Sequence, residues 1–350
     1  MDFRMWGRAL RVIPSVTKPE WDALDFISQW LIATRAAVLV MTFLSAALAG
    51  LFVARSGFFS APGGLWLLIP WVAIVLGLLL AHATNNIVND YTDFARGVDT
   101  DNYYRNLYGP QPLAAGLLTK RQTLLWALGT GLIAVAIGVG LCLWRNGDPL
   151  VIFFFVVGIL LVVAYTWPLK YIALGELSVI LAWGPFMIGG GYYTLTGHWD
   201  WNVVLGSLPY ALGVTTVIFG KHIDKIDIDR SKKIHTLPVL IGEKAGRWTV
   251  IVMILLPYLI VGGLIATRYF TPVMALVVLA FPSALGSVKF LLKPRPAQRP
   301  EGFPEGEGGW PLYFVHRCFL NNRAFGGWFL LALVLDTVLR LIPATRAFWN

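Results

Sequence analysis

The feature that most limits what this chain can fold into is a series of apolar runs, most of them about 18 residues or longer, spaced along its whole length. A run of that length crosses the hydrocarbon core of a bilayer as one helix. Inside lipid no water satisfies a free backbone N–H or C=O, so each run must close its hydrogen bonds internally, which a helix does and an open strand does not. Spans are read at roughly 28–53, 64–84, 123–144, 149–166, 177–196, 203–220, 247–267, 272–292 and 326–343. The expected fold is an all-α integral membrane protein. It is a single domain over residues 1–350, a bundle of about nine transmembrane helices around a central cavity. Only 13% of the residues are charged, against 57% hydrophobic, which excludes an ordinary soluble domain.

A net charge of +9 raises the question of nucleic acid. The basic residues, however, sit in short segments between apolar runs, where membrane topology accounts for them and no nucleic-acid surface is needed. With nine spans, the N-terminal tail and the segments after spans two, four, six and eight carry about 21 of the 28 Lys and Arg residues, against about four on the other side. This predicts a multi-pass protein of the plasma membrane with the N-terminus and the longer loops in the cytoplasm. Residues 1–27 are too polar for the apolar core of a signal peptide and read as a cytoplasmic tail. Residues 293–325, rich in Pro and Gly, read as an irregular cytoplasmic loop before the last helix, its later part along the interface. Cys142 and Cys318 form neither a disulfide framework nor a metal-ligand spacing. Asp336 and Arg340, four apart in the last span, can pair or sit near the interface.

Seven of the 19 acidic residues fall in two windows on the cytoplasmic side: Asp90, Asp93, Asp99 and Asp101, then Asp224, Asp227 and Asp229. Acids contribute little to topology, so the clustering needs another cause. In the first window Asn86, Asn89 with Asp90, and Asp93 share one face if the second span continues as helix. Gly97 then permits a turn that returns Asp99 toward them. Hard oxygen ligands gathered at a helix end suit Mg²⁺, which takes one or two carboxylates and leaves places for water and phosphate oxygens. In the second window the acids alternate with Lys221, Lys225, Arg230, Lys232 and Lys233. A metal-bound diphosphate needs both signs, carboxylates for the cation and Lys or Arg for the phosphate oxygens. A salt-bridged loop fits the second window on its own equally well. Lys170, after the fourth span, reads either as an interfacial lysine or as a phosphate contact. Glu176 reads as a helix cap or a cavity residue, Gly184, Gly189, Gly190 and Gly191 as places of close packing, and His222 and His235 as solvated or as proton carriers.

Several segments, in order between about residues 85 and 245, resemble the UbiA superfamily of intramembrane prenyltransferases. Asn89 through Asp99 resembles its first Asp-rich motif, in a form nearest the branch that prenylates 1,4-dihydroxy-2-naphthoate in menaquinone synthesis. Gly109-Pro110, Gly116, Leu174-Gly175-Glu176 and Gly184-Pro185 are similar to the same branch, and Asp224 to Asp229 followed by Thr236-Leu237-Pro238 and Gly242 resembles the second Asp-rich motif. The resemblance implies Mg²⁺-dependent ionisation of a polyprenyl diphosphate and attack by an aromatic or lipophilic acceptor, with membrane lipid as the surroundings. By position it implies Asn89, Asp90, Asp93 and Asp99 at one metal site and Asp224, Asp227 and Asp229 at another. Lys170, Arg96 and Lys225 would hold the diphosphate, and Asp93, Asp224 and Lys170 would be the catalytic residues. The chain departs from the pattern at Lys225, which stands where an acid four residues before Asp229 is usual, and at Gln111, where Arg often precedes the Pro. Two other readings use parts of the same pattern. A terpene cyclase would ionise the diphosphate without an acceptor. A transporter would place its charges on broken helices near the bilayer midplane, whereas here they lie at helix ends.

Overall fold

The computed structural model describes residues 1–98, 111–304 and 309–342, and every element in them is helical apart from turns and isolated bridge residues, among them the pair Ile172 and His235. Three short helices open the chain: α1 (Phe3–Ala9), α2 (Lys18–Ala23) and α3 (Phe26–Ala33). The spans follow as α4 (Ala36–Arg55), α5 (Leu68–Ala95), α6 (Lys120–Trp144) and α7 (Pro149–Ala164). The next crossing is in pieces, α8 (Gly175–Leu181), a wider π-helical stretch Ala182–Gly190, and α9 (Gly191–Thr196). Then come α10 (Trp201–Asp224), α11 (Ile226–Ser231) and α12 (Leu237–Ala266). A 3₁₀ segment Pro272–Ala280 runs into α13 (Phe281–Leu291), and α14 (Tyr313–Leu341) is last.

Among the described residues, seven segments are long and apolar enough to cross a bilayer as continuous helices. The expected count of nine is not reached that way, for two local reasons. The helix Pro149–Ala164 has 16 residues, short of a full crossing. In 175–196, Pro185 removes one backbone donor and Gly184, Gly189, Gly190 and Gly191 weaken the helix, so the chain widens instead of continuing as one α-helix. Other expected loops are partly helix. Helix α5 carries on to Ala95 because its last turns are polar yet still amphipathic, and α14 begins at Tyr313, so the stretch read as interfacial is its first three turns, with Phe314 and Cys318 fully buried.

Helix starts are written in the sequence. Thr17 with Glu20 and Thr119 with Gln122 form capping boxes for α2 and α6, and Asp148 and Asp200 accept backbone N–H groups at the starts of α7 and α10. The Thr17 backbone N–H and hydroxyl hold the exposed Glu20 carboxyl below its ordinary range. The N-terminal tail is folded rather than splayed on the interface: Trp21 is buried with Ala9, Leu117 and Leu118, closing over the segment before α6.

Helix α10 is the axis of the bundle. Of its most apolar window 78% is buried, against 11% in α6, which faces lipid. Glycines at every second turn make that possible. A Cβ on Gly213 would stand 2.5 Å from Asn322 Oδ1, and one on Gly220 would stand 3.0 Å from the backbone N and Cα of Val315, so α14 lies against bare backbone. At the end of the bundle away from the acid windows, Arg55 Nε lies 2.5 Å from Asp336 Oδ2, and Arg55 Nη2 donates to the Tyr269 carbonyl. Asp336 Oδ1 accepts the Thr271 N–H at 2.7 Å. Asp336 is thus paired chiefly with Arg55; Arg340 Nε stands at 3.9 Å.

Candidate active site

Between α5, α6, α7, the broken crossing and α10 lies a cavity of about 1040 Å³. Its walls along the spans are apolar, with Ile74, Leu78, Leu128, Val135, Phe155 and Met187 among them. Charge gathers toward one end, where Lys170, Lys221, His222 and Lys225 join the wall, and Arg11 and Arg35 line it as well.

The first acid window builds this end from α5. Asn85 and Asn89, one turn apart, reach toward the end of α7: Asn85 Nδ2 donates to the Val162 carbonyl at 2.7 Å and Asn89 Nδ2 to Thr166 Oγ1 at 2.9 Å. On the adjoining face Asn86 Nδ2 donates to the Thr34 carbonyl at 2.7 Å. Asp90 Oδ2 accepts the Leu113 N–H at 3.0 Å, which ties the segment before α6 to α5. Asp93 is fully buried, and its Oδ2 lies 3.5 Å from Lys170 Nζ. The chain thus places Asn89, Asp93 and Lys170 together, as the spacing predicts for the first two. Arg96 is exposed and stacks on Trp167 and Tyr171, at 4.8 and 5.2 Å to the ring centroids, outside the cavity wall. Asp99 lies outside the described residues, as do Asp101 and the Gly109-Pro110 pair.

The second window divides. Helix α10 ends at Asp224 and α11 starts at Ile226, so its three carboxylates point in different directions. Asp229 is fully buried, and its Oδ1 lies 3.2 Å from Lys225 Nζ, four residues earlier. Asp227 is almost wholly exposed and lies 3.6 Å from Arg230. Asp224 is buried but turned to α14: its two carboxylate oxygens accept the N–H groups of Phe314 and Val315, each at 3.0 Å. That is an anion at a helix N-terminus, a capping arrangement supplied from another helix. The three acids of this window thus have separate surroundings, Asp224 at α14, Asp229 at Lys225 and Asp227 at the surface. The two windows do meet: Lys232 Nζ donates to the Gly97 carbonyl at 3.2 Å.

Among the described residues no three carboxylate, imidazole or thiol groups converge as a ready-made metal site. Mg²⁺ does not require one, since it takes one or two carboxylates and completes its shell with water and phosphate. The donors fit that pattern. Asp229 Oδ2 is a buried carboxylate oxygen that accepts no hydrogen bond among the described residues, and Asn89 lines the cavity with its amide nitrogen already engaged.

Arg35 was not legible as a site element, and Lys221, Glu176 and His222 gain their place or partner only in the structure. Arg35 sits between α3 and α4 in the left-handed conformation (φ 54°, ψ 53°), costly for a residue with a Cβ, and its side chain joins the cavity wall. A lone charge inside an apolar run was its signal. Lys221 adds a third lysine to the wall. Glu176 and His222, singly ambiguous in the sequence, form a buried pair at 2.6 Å.

Comparison with known proteins places this geometry. The family model described as the UbiA prenyltransferase family matches residues 42–303. A UbiA prenyltransferase domain-containing protein 1 homolog of Drosophila melanogaster is 29% identical over 188 residues, 52% of this chain and 50% of that protein. A 1,4-dihydroxy-2-naphthoate octaprenyltransferase of Bacillus subtilis is 25% identical over 267 residues, 75% of this chain and 80% of that protein. The chain spans between 50% and 63% of the length of the UbiA domain-containing relatives from Drosophila and Xenopus tropicalis. A UbiA homolog from Archaeoglobus fulgidus, solved bound to GPP and Mg²⁺, has the same fold, with a TM-score of 0.58 at 14% identity over 87% of this chain and 99% of that one.

Proposed function

From the premise that this chain belongs to the UbiA prenyltransferase family, we propose that it transfers a prenyl group from a prenyl diphosphate to a hydroxylated aromatic acceptor of the 1,4-dihydroxy-2-naphthoate type. The observation that carries the reading is the polarity of one cavity. Its apolar length suits an isoprenoid tail, and its charged end sets Lys170, Lys221 and Lys225 beside the buried Asp93 and Asp229. A diphosphate with its tail in lipid needs that combination. The naphthoate acceptor rests on the likeness to the 1,4-dihydroxy-2-naphthoate octaprenyltransferases of Bacillus subtilis and Haemophilus influenzae.

Asn89, Asp93 and Asp229 are the residues proposed to hold Mg²⁺, with Asp90 fixing the segment beside them. When bound, the ion would supply positive charge that stabilises the departing diphosphate. Lys170, held 3.5 Å from Asp93, and Lys225, held 3.2 Å from Asp229, present ammonium groups already oriented by buried carboxylates, so little side-chain freedom is lost when they meet phosphate oxygens. The apolar walls exclude water, which strengthens these contacts and protects an allylic cation from hydrolysis. The proposed orientation puts this end of the bundle in the cytoplasm, at the plasma membrane.

The test is Mg²⁺-dependent diphosphate release by the purified protein from geranyl, farnesyl and geranylgeranyl diphosphates, with and without 1,4-dihydroxy-2-naphthoate, products identified by mass. A prenylated naphthoate supports the reading. Acceptor-independent hydrocarbon products would replace it with a cyclase, and no release from any donor would reject prenyl-diphosphate chemistry.

A further inference from the structure

His222 and Glu176 come from different elements, the last turn of α10 and the first turn of α8, and each is about 97% buried, with side-chain exposures of 3% and 3%. His222 Nδ1 lies 2.6 Å from Glu176 Oε1, and Glu176 Oε2 accepts the Leu237 N–H at 3.4 Å, so the carboxylate is held through both oxygens. A carboxylate at Nδ1 assigns the proton to that nitrogen and leaves the lone pair on Nε2. Nε2 has no hydrogen-bond partner among the described residues, and the ring is part of the cavity wall at its charged end, between Lys221 and Lys225 in sequence. An imidazole oriented by a buried carboxylate, with its second nitrogen toward a substrate cavity, is the arrangement of a general base.

We infer that His222 is the proton acceptor for the acceptor's aromatic hydroxyl, with Glu176 as its positioning residue. This rests on the prenyl-transfer reading above. In the step, the O–H bond breaks and the proton goes to His222 Nε2. The oxygen pair becomes a carbonyl, and the ring π pair forms the carbon–carbon bond to the prenyl C1. The C1–O bond breaks, its electron pair leaving with the diphosphate. The resulting cyclic ketone regains aromaticity when the C–H bond at the attacked carbon breaks, its proton passing to solvent, or, where that carbon bears a carboxylate, when carbon dioxide leaves. In both cases the freed pair restores the ring and returns the carbonyl oxygen to a phenolate, which takes up a proton from solvent. His222 takes up one proton per turnover and returns it to solvent. The substrate class follows: the acceptor carries a hydroxyl conjugated with the attacked carbon.

The experiment uses the full chain in detergent with geranylgeranyl diphosphate and Mg²⁺. The acceptors are a series of phenols and naphthols whose hydroxyl groups range from neutral to ionised at the assay pH. His222→Gln should lower transfer to the neutral members by about 100-fold or more, the usual worth of a general base, and far less for members that arrive ionised. The ratio of prenylated product to hydrolysed donor should fall with the neutral members only. Glu176→Gln, which keeps a hydrogen bond but removes the charge, should show the same pattern with a smaller loss. His222→Gly with added imidazole supplies a second route, and recovery with the neutral members is expected. A uniform loss across the series without imidazole recovery would make the pair a structural tie between α8 and α10. Full activity of His222→Gln would mean that the departing diphosphate takes the proton. Either result overturns the inference. Failure of the unsubstituted protein to prenylate any member would overturn the parent reading and this one with it.

Discussion

Replacing Asp224 with Asn separates two roles that the sequence assigns alike to an acid in an Asp-rich window. In the structure its carboxylate accepts two backbone N–H groups at 3.0 Å, from Phe314 and Val315 in the first turn of α14. The side chain is 0% exposed, so water cannot replace those bonds. Asparagine keeps one acceptor oxygen and turns an NH₂ toward the second donor. One charge-assisted bond is lost, worth about 1.5–3 kcal/mol. The negative charge at the helix N-terminus goes as well, worth about another 0.3–1 kcal/mol. The expected destabilisation is therefore about 2–4 kcal/mol, read as a lower thermal unfolding midpoint of the detergent-solubilised protein. Below that midpoint, the Mg²⁺ concentration giving half-maximal diphosphate release should not move. An unchanged midpoint together with a raised Mg²⁺ requirement would refute the capping argument and return Asp224 to the metal site.

Lys170→Met removes a charged donor to the diphosphate while keeping length and apolar bulk. A loss of about 1.5–3 kcal/mol corresponds to about a 10- to 150-fold fall in kcat/KM for the prenyl diphosphate, measured by steady-state kinetics. Chelation of divalent cations should stop diphosphate release and added Mg²⁺ should restore it, checked by phosphate-coupled assay. Asp336→Ala leaves Arg55 buried without its carboxylate and should cost about 3–5 kcal/mol in the unfolding midpoint, at the end of the bundle far from the lysines. Gly220→Leu forces side-chain atoms against the Val315 backbone, which cannot swing aside, and should destabilise by about 1–3 kcal/mol, measured the same way.

The sequence alone determined the class of fold and the register of the first acid window on its helix. Apolar runs near 20 residues force helices in lipid, and Asn86, Asn89, Asp90 and Asp93 at helical spacing had to occupy neighbouring faces of α5, because a helix is a local structure whose period is readable from one strand of text. Thr119 and Asp148 cap their helices through contacts that are equally local. Tertiary structure decided what spacing cannot express, namely which partner a side chain meets across the bundle. Asp224 and Asp229 stand five positions apart, yet one caps α14 and the other binds Lys225, because α10 ends between them and the chain changes direction. Glu176 and His222 became a pair only when α8 was laid against α10. The close seat of α14 came from Gly213 and Gly220, whose value lay in the backbone that would press on them. The broken crossing at 182–190 likewise reflects Pro185 and glycine acting against a hydropathy that reads as an unbroken span. Local periodicity is encoded residue by residue, whereas partner choice depends on how helices distant in sequence are brought together.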